Sequence, residues 1–564
     1  MNTQRLISYG VALMLLAAVS LRANVTNITS GGPEYPNFNS AFAAANNGDT
    51  LRGRAATWEE TAMVPMNKQL TLDGGYNAAY TTKIGMSVLT NESSSPVFQV
   101  MQGSKVYLES LVIKGGDGTG FGAGGVWAFL STAIVVNCVV SNCASQFGAG
   151  LNSAGLIIAS NTLVTECVAG KQGGGVYVRS GSAFRAYQNT RIRFNTAANE
   201  GGGIYAQPGL VELSACEVIN NTASTSAGGG LYAESGVVVR VTATTISGNS
   251  TVSDGGGLYA YNADVELLNS FVVGNLAGSS GGGIRQQYGI LVVSNTAVNG
   301  NVAQLGGGIY NNDTVLRLYD SQVGTLAAPN VGQFFAGGAG VNNFFDGDVR
   351  MRNVIIEGNT GDFTTIAGLQ LSSSQPVWLS NVIVRFNKAS VLAGVSINAN
   401  GGLQAYHLQI VSNTAFASGG GTVSAQSNLL LYAPVIVGNT SYFGTAGIGV
   451  SLFNATGSVI RARVQHNRSG QGEGGITFSG SGDELLYLDD PLIADNTGDA
   501  DEDHFGGTGG LRVNGLKTRL RALTQPVQIV RNHGGSEGGL YVGGGTLLCE
   551  APSIANPILI AHNS

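Results

Sequence analysis

The sequence is poor in most of what folds use to brace themselves. Cys138, Cys143, Cys167, Cys216 and Cys549 are its only cysteines. This odd count builds no disulfide framework and leaves at least one thiol unpaired within the chain. Charged residues make up 11% of the chain, the formal net charge is −6, and no run of Lys or Arg occurs. Without a basic field to hold phosphates, nucleic acid is excluded as the expected partner. No apolar run reaches the roughly 20 residues that a membrane-spanning helix needs, and the strand-like segments show no helical spacing.

Glycine is abundant, at 85 residues, and needs a reason. A collagen-like helix would place Gly at every third position among many prolines, whereas only 12 prolines occur; simple disorder would tolerate far less Val, Ile and Leu. The glycines therefore belong to ordered, extended backbone. They fall in register: GGGVY at Gly173, GGGIY at Gly201, GGGLY at Gly228 and again at Gly255, GGGIR at Gly281 and GGGIY at Gly306, at steps of about 25 to 28 residues. Looser versions begin at Gly122 and continue to Glu537.

A second marker keeps step with the first. A β-rich stretch before each glycine block ends in asparagine, at Asn195, Asn221, Asn249, Asn275 and Asn301, then at Asn359, Asn387, Asn413, Asn439, Asn467, Asn496 and Asn532. Asparagine accepts a left-handed turn, and its amide can bond the same side chain one rung above and below; a stacked structural ladder is expected, not a catalytic set. Segments such as Val237–Ala243 and Asp264–Asn269 read as short strands. Three strands per unit of about 27 residues predict an all-β, single-stranded, right-handed parallel β-helix with Val, Ile and Leu stacked inside.

At these motifs the chain resembles the polymorphic outer membrane protein repeats, which join an F-x-x-N element to a following G-G-aliphatic element. Phe194 to Tyr205 is similar to one such unit, although its Phe directly precedes Asn195, and most other units lack the Phe. The resemblance covers residues 120 to 564. It implies a β-helix passenger displayed on a bacterial surface, in a family whose members resemble autotransporters ending in an outer-membrane barrel. This chain ends at Ile558 to Ser564, within what reads as another coil, so a fragment or another kind of anchor is expected, with membrane association only through an anchor not seen in the chain.

The organisation follows. Residues 1–23, with Arg5, the apolar run Val11 to Val19 and a small residue at Ala23, read as a signal peptide. Residues 24–110 read as an N-terminal cap and first coils, with a short helix over Phe38 to Ala45 covering strand edges. Residues 111–564 are the repeats. A secreted, cell-surface or outer-membrane location is expected.

Candidate sites are few. Right-handed β-helices include pectate lyases and polygalacturonases, whose chemistry needs convergent carboxylates. Asp489 and Asp490 form the only adjacent aspartate pair and are the candidate catalytic residues; a solvated turn before Pro491 is the plainer reading. Asp499, Asp501 and Asp503 alternate in an acidic insertion and could offer oxygens to calcium; otherwise no cofactor is expected. Tyr177, Tyr205, Tyr232, Tyr259 and Tyr310 share one outward repeat position, with Arg285 standing there once, and could grip sugar rings or a partner protein, or else stack on each other. Cys143 and Cys167 fall at equivalent positions of successive coils, where they either stack as small buried residues or pair. The expected function is a non-enzymatic adhesive or structural protein presenting a long face to a glycan or an extracellular or surface protein. The alternative is a polysaccharide-active enzyme, pectate lyase-like or glycoside hydrolase-like.

Overall fold

The computed structural model describes residues 24–91, 93–119, 122–333, 337–345, 347–361, 366–498, 507–553 and 555–564; the expected signal peptide at residues 1–23 lies outside them. The chain winds into a parallel β-solenoid of about 18 turns, 54% strand and 1% helix. Its first strand, Val25–Asn27, pairs antiparallel with Thr50–Arg54, and the coil-to-coil pairings that follow are parallel. The helix Phe38–Ala44 buries Phe38, Ala41 and Phe42 against the first coils, where Phe38 meets Trp58 and Phe42 meets Phe98.

A regular coil carries four short strands where three were expected. In one coil these are Ile204–Ala206, Leu210–Ser214, Glu217–Ile219 and Thr222–Ala223, and each pairs in register with its counterpart one coil on. They stack into four ladders, numbered here in coil order. The extra strand arises because the coil turns sharply twice within a few residues. One corner is the left-handed residue Ala215 (φ 54°), between the second and third ladders. The other is the left-handed residue before each ladder asparagine: Phe194 (φ 55°), Asn220 (φ 54°), Gly248 (φ 62°) and Gly274 (φ 65°). The turn asparagine expected from the repeat is thus displaced by one residue. The ladder asparagine itself is not left-handed; its neighbour makes the corner, which turns the amide inward.

Alternation along each strand sends Val, Ile and Leu inward, as with Val211 and Leu213 or Val239 and Val241, and these pack into one continuous core from Val25 to Ile529. The glycine and asparagine signatures prove to be parts of one device. A Cβ on Gly257, the third of its triplet, would lie 2.6 Å from the Gly283 carbonyl oxygen and 3.0 Å from Asn275 Nδ2. A Cβ on Gly255, the first and left-handed at φ 67°, would lie 2.6 Å from Tyr259 Cβ. The triplet therefore leaves room for the asparagine on one side and the tyrosine on the other.

Candidate functional site

The asparagines are buried and fully engaged. The Asn249 backbone N–H and Nδ2 both donate to Asn275 Oδ1 at 3.0 Å, and Asn275 Nδ2 donates to the Ile246 carbonyl at 3.0 Å and to Asn301 Oδ1 at 3.0 Å. The same pattern runs from Asn195 through Asn532 to Asn563 and includes Asn330; the repeat reading picked out neither Asn330 nor Asn563. Asn330 follows an insertion that separates it from its strand, so the local spacing hid it. Cys143 and Cys167 occupy the same corner in the two coils before the ladder: both are buried free thiols, each after a left-handed residue, and the Cys167 N–H donates to Asn195 Oδ1 at 3.0 Å. With every amide atom satisfied inside the solenoid, the asparagines hold the coils together and offer nothing to a ligand.

The corner between the second and third ladders carries another column that sequence reading missed. The Cys216 N–H donates to Thr244 Oγ1, the Thr244 N–H to Ser270 Oγ and the Ser270 N–H to Thr296 Oγ1, each at 3.2 Å. Ser, Thr and Cys interchange at this position, so no single letter recurs to mark it.

The tyrosines after the glycine blocks stack on one another. Tyr177, Tyr205, Tyr232 and Tyr259 have successive ring centroids 5.1, 5.2 and 5.0 Å apart with planes 12°, 12° and 18° from parallel. Tyr177 is 6% and Tyr205 1% exposed. The Tyr205 hydroxyl donates to Glu234, and burial raises the phenol pKa at all these positions, Tyr310 included. Arg285 continues the column with its guanidinium 4.4 Å from the Tyr310 ring centroid. The ring faces are used on each other along this stretch.

Asp489 and Asp490 have partners of their own. Asp489 accepts from Arg521 Nε at 2.6 Å and Nη2 at 2.7 Å, a bidentate pair between adjacent coils. Asp490 accepts from the backbone N–H groups of Leu523 and Thr524 and from the Thr524 hydroxyl. Burial opposes ionisation of Asp490, but these hydrogen bonds prevail and hold its pKa below the ordinary value. Asp489 thus ties two rungs together and Asp490 fixes the turn after Arg521. Asp499, Asp501 and Asp503 lie outside the described residues.

A large concavity with mixed chemistry lies elsewhere, on the outer face of the second ladder. It is a groove of about 1030 Å³ that includes Tyr319, Arg350, Arg352, Trp378, Gln404 and Tyr406 in its walls. Arg350, Trp378 and Gln404 are register partners on three successive rungs, and Arg352, Ser380 and Tyr406 form the parallel column two residues on. Rungs repeat at about 4.8 Å, so the groove, open from the Tyr319 rung to the Ser458 rung, follows the solenoid axis for roughly 24 Å. Asp348 binds Arg317 and lies 3.4 Å from Arg350 Nη2, while Arg352 Nη2 lies 3.3 Å from Asp320 Oδ2. Tyr406 and Tyr432 set their rings 6.1 Å apart towards one end. Half-buried aromatic rings, guanidiniums and the amide of Gln404 in one trough are what a polar, ring-containing ligand requires.

Among the described residues no three His, Cys, Asp or Glu gather as metal ligands would, and no helix is long and apolar enough to cross a membrane. Compared with known proteins, the chain matches no family profile and no curated protein.

Proposed function

We propose that the chain is a non-enzymatic, exported or cell-surface β-solenoid that holds a glycan along its outer face, in an adhesive or structural role. The groove over Arg350, Trp378 and Gln404 carries this reading, because it sets aromatic and hydrogen-bonding side chains along a line that runs across several coils. The apolar segment at Val11 to Val19 supports export, and the repeat's resemblance to polymorphic outer membrane proteins supports display on a surface. Binding is favoured over turnover because Asp489 and Asp490, the aspartate pair suited to acid–base work, are held by Arg521 and by the turn at Leu523 and Thr524.

The test is co-sedimentation of the full chain with a panel of insoluble and crosslinked polysaccharides, with reducing ends and unsaturated products assayed in the same tubes. Retention without product is expected. Product release that disappears in Asp489→Asn or Asp490→Asn would contradict the proposal and make the protein a polysaccharide-active enzyme.

A further inference from the structure

The chemistry of the groove narrows its ligand, an inference that rests on reading this face as glycan-binding. The geometry points to an acidic glycan, carrying carboxylate or sulfate groups, that lies along the solenoid axis with its acid groups on Arg350 and Arg352 and a sugar face on Trp378.

Four rungs upstream on the same face pair their charges in the ordinary way. Arg185, Glu212, Arg240 and Glu266 stand on four successive rungs of one outward column, and Arg185 and Glu212 approach to 3.3 Å. Charge alternates rung by rung and cancels, as cross-strand pairing favours. Val292, on the next rung, ends the alternation, and it does not resume at the groove. Arg317 and Arg350 occupy adjacent rungs of that column, a like-charge pair that costs stability, and Trp378 and Gln404 follow where the next charges would stand.

The guanidiniums are also incompletely used. Arg350 and Arg352 alternate outward on the strand Val349–Glu357, and their side chains are 55% and 53% exposed. Each has one carboxylate contact beyond 3.2 Å, and Arg350 shares Asp348 with Arg317. A guanidinium has five N–H donors in a planar fork that matches carboxylate or sulfate oxygens, so both retain donors facing the trough. Among the described residues, the ion pairs here set three arginines against two carboxylates, Asp348 and Asp320, on a chain whose net charge is −6.

Trp378, between Arg350 and Gln404, offers an aromatic surface to the apolar C–H face of a sugar, and Gln404, Asn428, Thr456 and Ser458 suit its hydroxyls. A nucleic acid would present a phosphate at every step and is met by rows of basic residues; two exposed arginines followed by neutral polar groups fit an acid group at intervals along a sugar chain.

The test is titration calorimetry of the full chain with polygalacturonate as the carboxylate polymer, heparin as the sulfated one, dextran as the neutral one and a single-stranded oligonucleotide. Binding of one or both acidic glycans, weakened by salt, is expected, and the preferred arm identifies the acid group. Arg350→Gln and Arg352→Gln should each weaken it by about tenfold, as loss of a charge-assisted contact does. Trp378→Ala should weaken it too, while Arg185→Gln, on the same face outside the groove, should leave it unchanged. Equal affinity for dextran with no response to the arginine variants would overturn the acidic ligand and leave a glycan-binding groove. No binding to any glycan, or preference for the oligonucleotide, would overturn both.

Discussion

At the scale of single residues, the fold depends on buried amides whose loss cannot be absorbed locally. Asn275→Ala would leave the Asn249 N–H and Nδ2 without their acceptor in a site closed to water. Stranded buried donors cost about 1 to 3 kcal/mol each, so a loss of about 2 to 6 kcal/mol is expected from the coils around residue 275, measured as faster amide exchange there. Gly257→Ala should destabilise the same coils, because its Cβ meets the Gly283 carbonyl oxygen at 2.6 Å, backbone that cannot yield. Glu484 adds a pH dependence. Its carboxylate accepts from the Ser481 hydroxyl, from the N–H groups of Ser481 and Gly482, and from Asn454 N–H at 3.1 Å across the coils. The Ser481 hydroxyl, with those backbone N–H groups and against the effect of burial, brings its pKa down from 4.5 to about 2. A depressed folded-state pKa gives stability that is present above the unfolded value and lost as pH falls. Thermal unfolding should therefore shift downward between about pH 4.5 and 2 in the wild type, and less steeply in Glu484→Gln.

At the scale of the element, the corners carry the remaining strain. Ala243 is left-handed at φ 48°, where a Cβ crowds the following carbonyl. Ala243→Gly or Ala243→Asn should stabilise the coil by about 1 kcal/mol, read as slower exchange at Thr245–Ser247. The period, the parallel ladders and the asparagine column were legible in the sequence because one residue type must recur wherever a stacked amide needs an identical neighbour. The four-strand coil was not, because its sharp corners are made by Phe194, Asn220, Gly248, Ala215 and Ala243 alike, positions held by backbone geometry and not by one side chain. The groove was hidden for a different reason. Arg350, Trp378 and Gln404 lie more than twenty residues apart and each reads as an ordinary outward residue; register alone aligns them. In the aligned repeats the outward column shows the Arg/Glu alternation end at Val292 and two arginines, Arg317 and Arg350, stand on adjacent rungs beyond it.

At the scale of the whole molecule, each coil touches its neighbours and one core runs the length of the chain. Stability in such an array is a sum of coils and interfaces, so damage stays near its origin. Gly257→Ala should speed exchange in the coils on either side of residue 257 while the groove strands Val377–Arg385 and Leu403–Tyr406 keep their protection and the ligand its affinity. Loss of binding in that variant would mean that the solenoid unfolds as one unit. The same additivity suits a binding face: the second ladder can change from alternating charges to arginine, tryptophan and glutamine over a few rungs without altering the coils beneath, because inward and outward residues alternate along each strand.

The most direct test of a solenoid that holds an acidic glycan without cutting it is a crystal structure of the full chain with an acidic oligosaccharide. An intact oligomer is expected along the axis, one ring over Trp378 and its acid group within hydrogen-bond distance of Arg350 or Arg352. An empty groove with the oligomer elsewhere on the surface, or a cleaved oligomer beside Asp489 and Asp490, would contradict this reading.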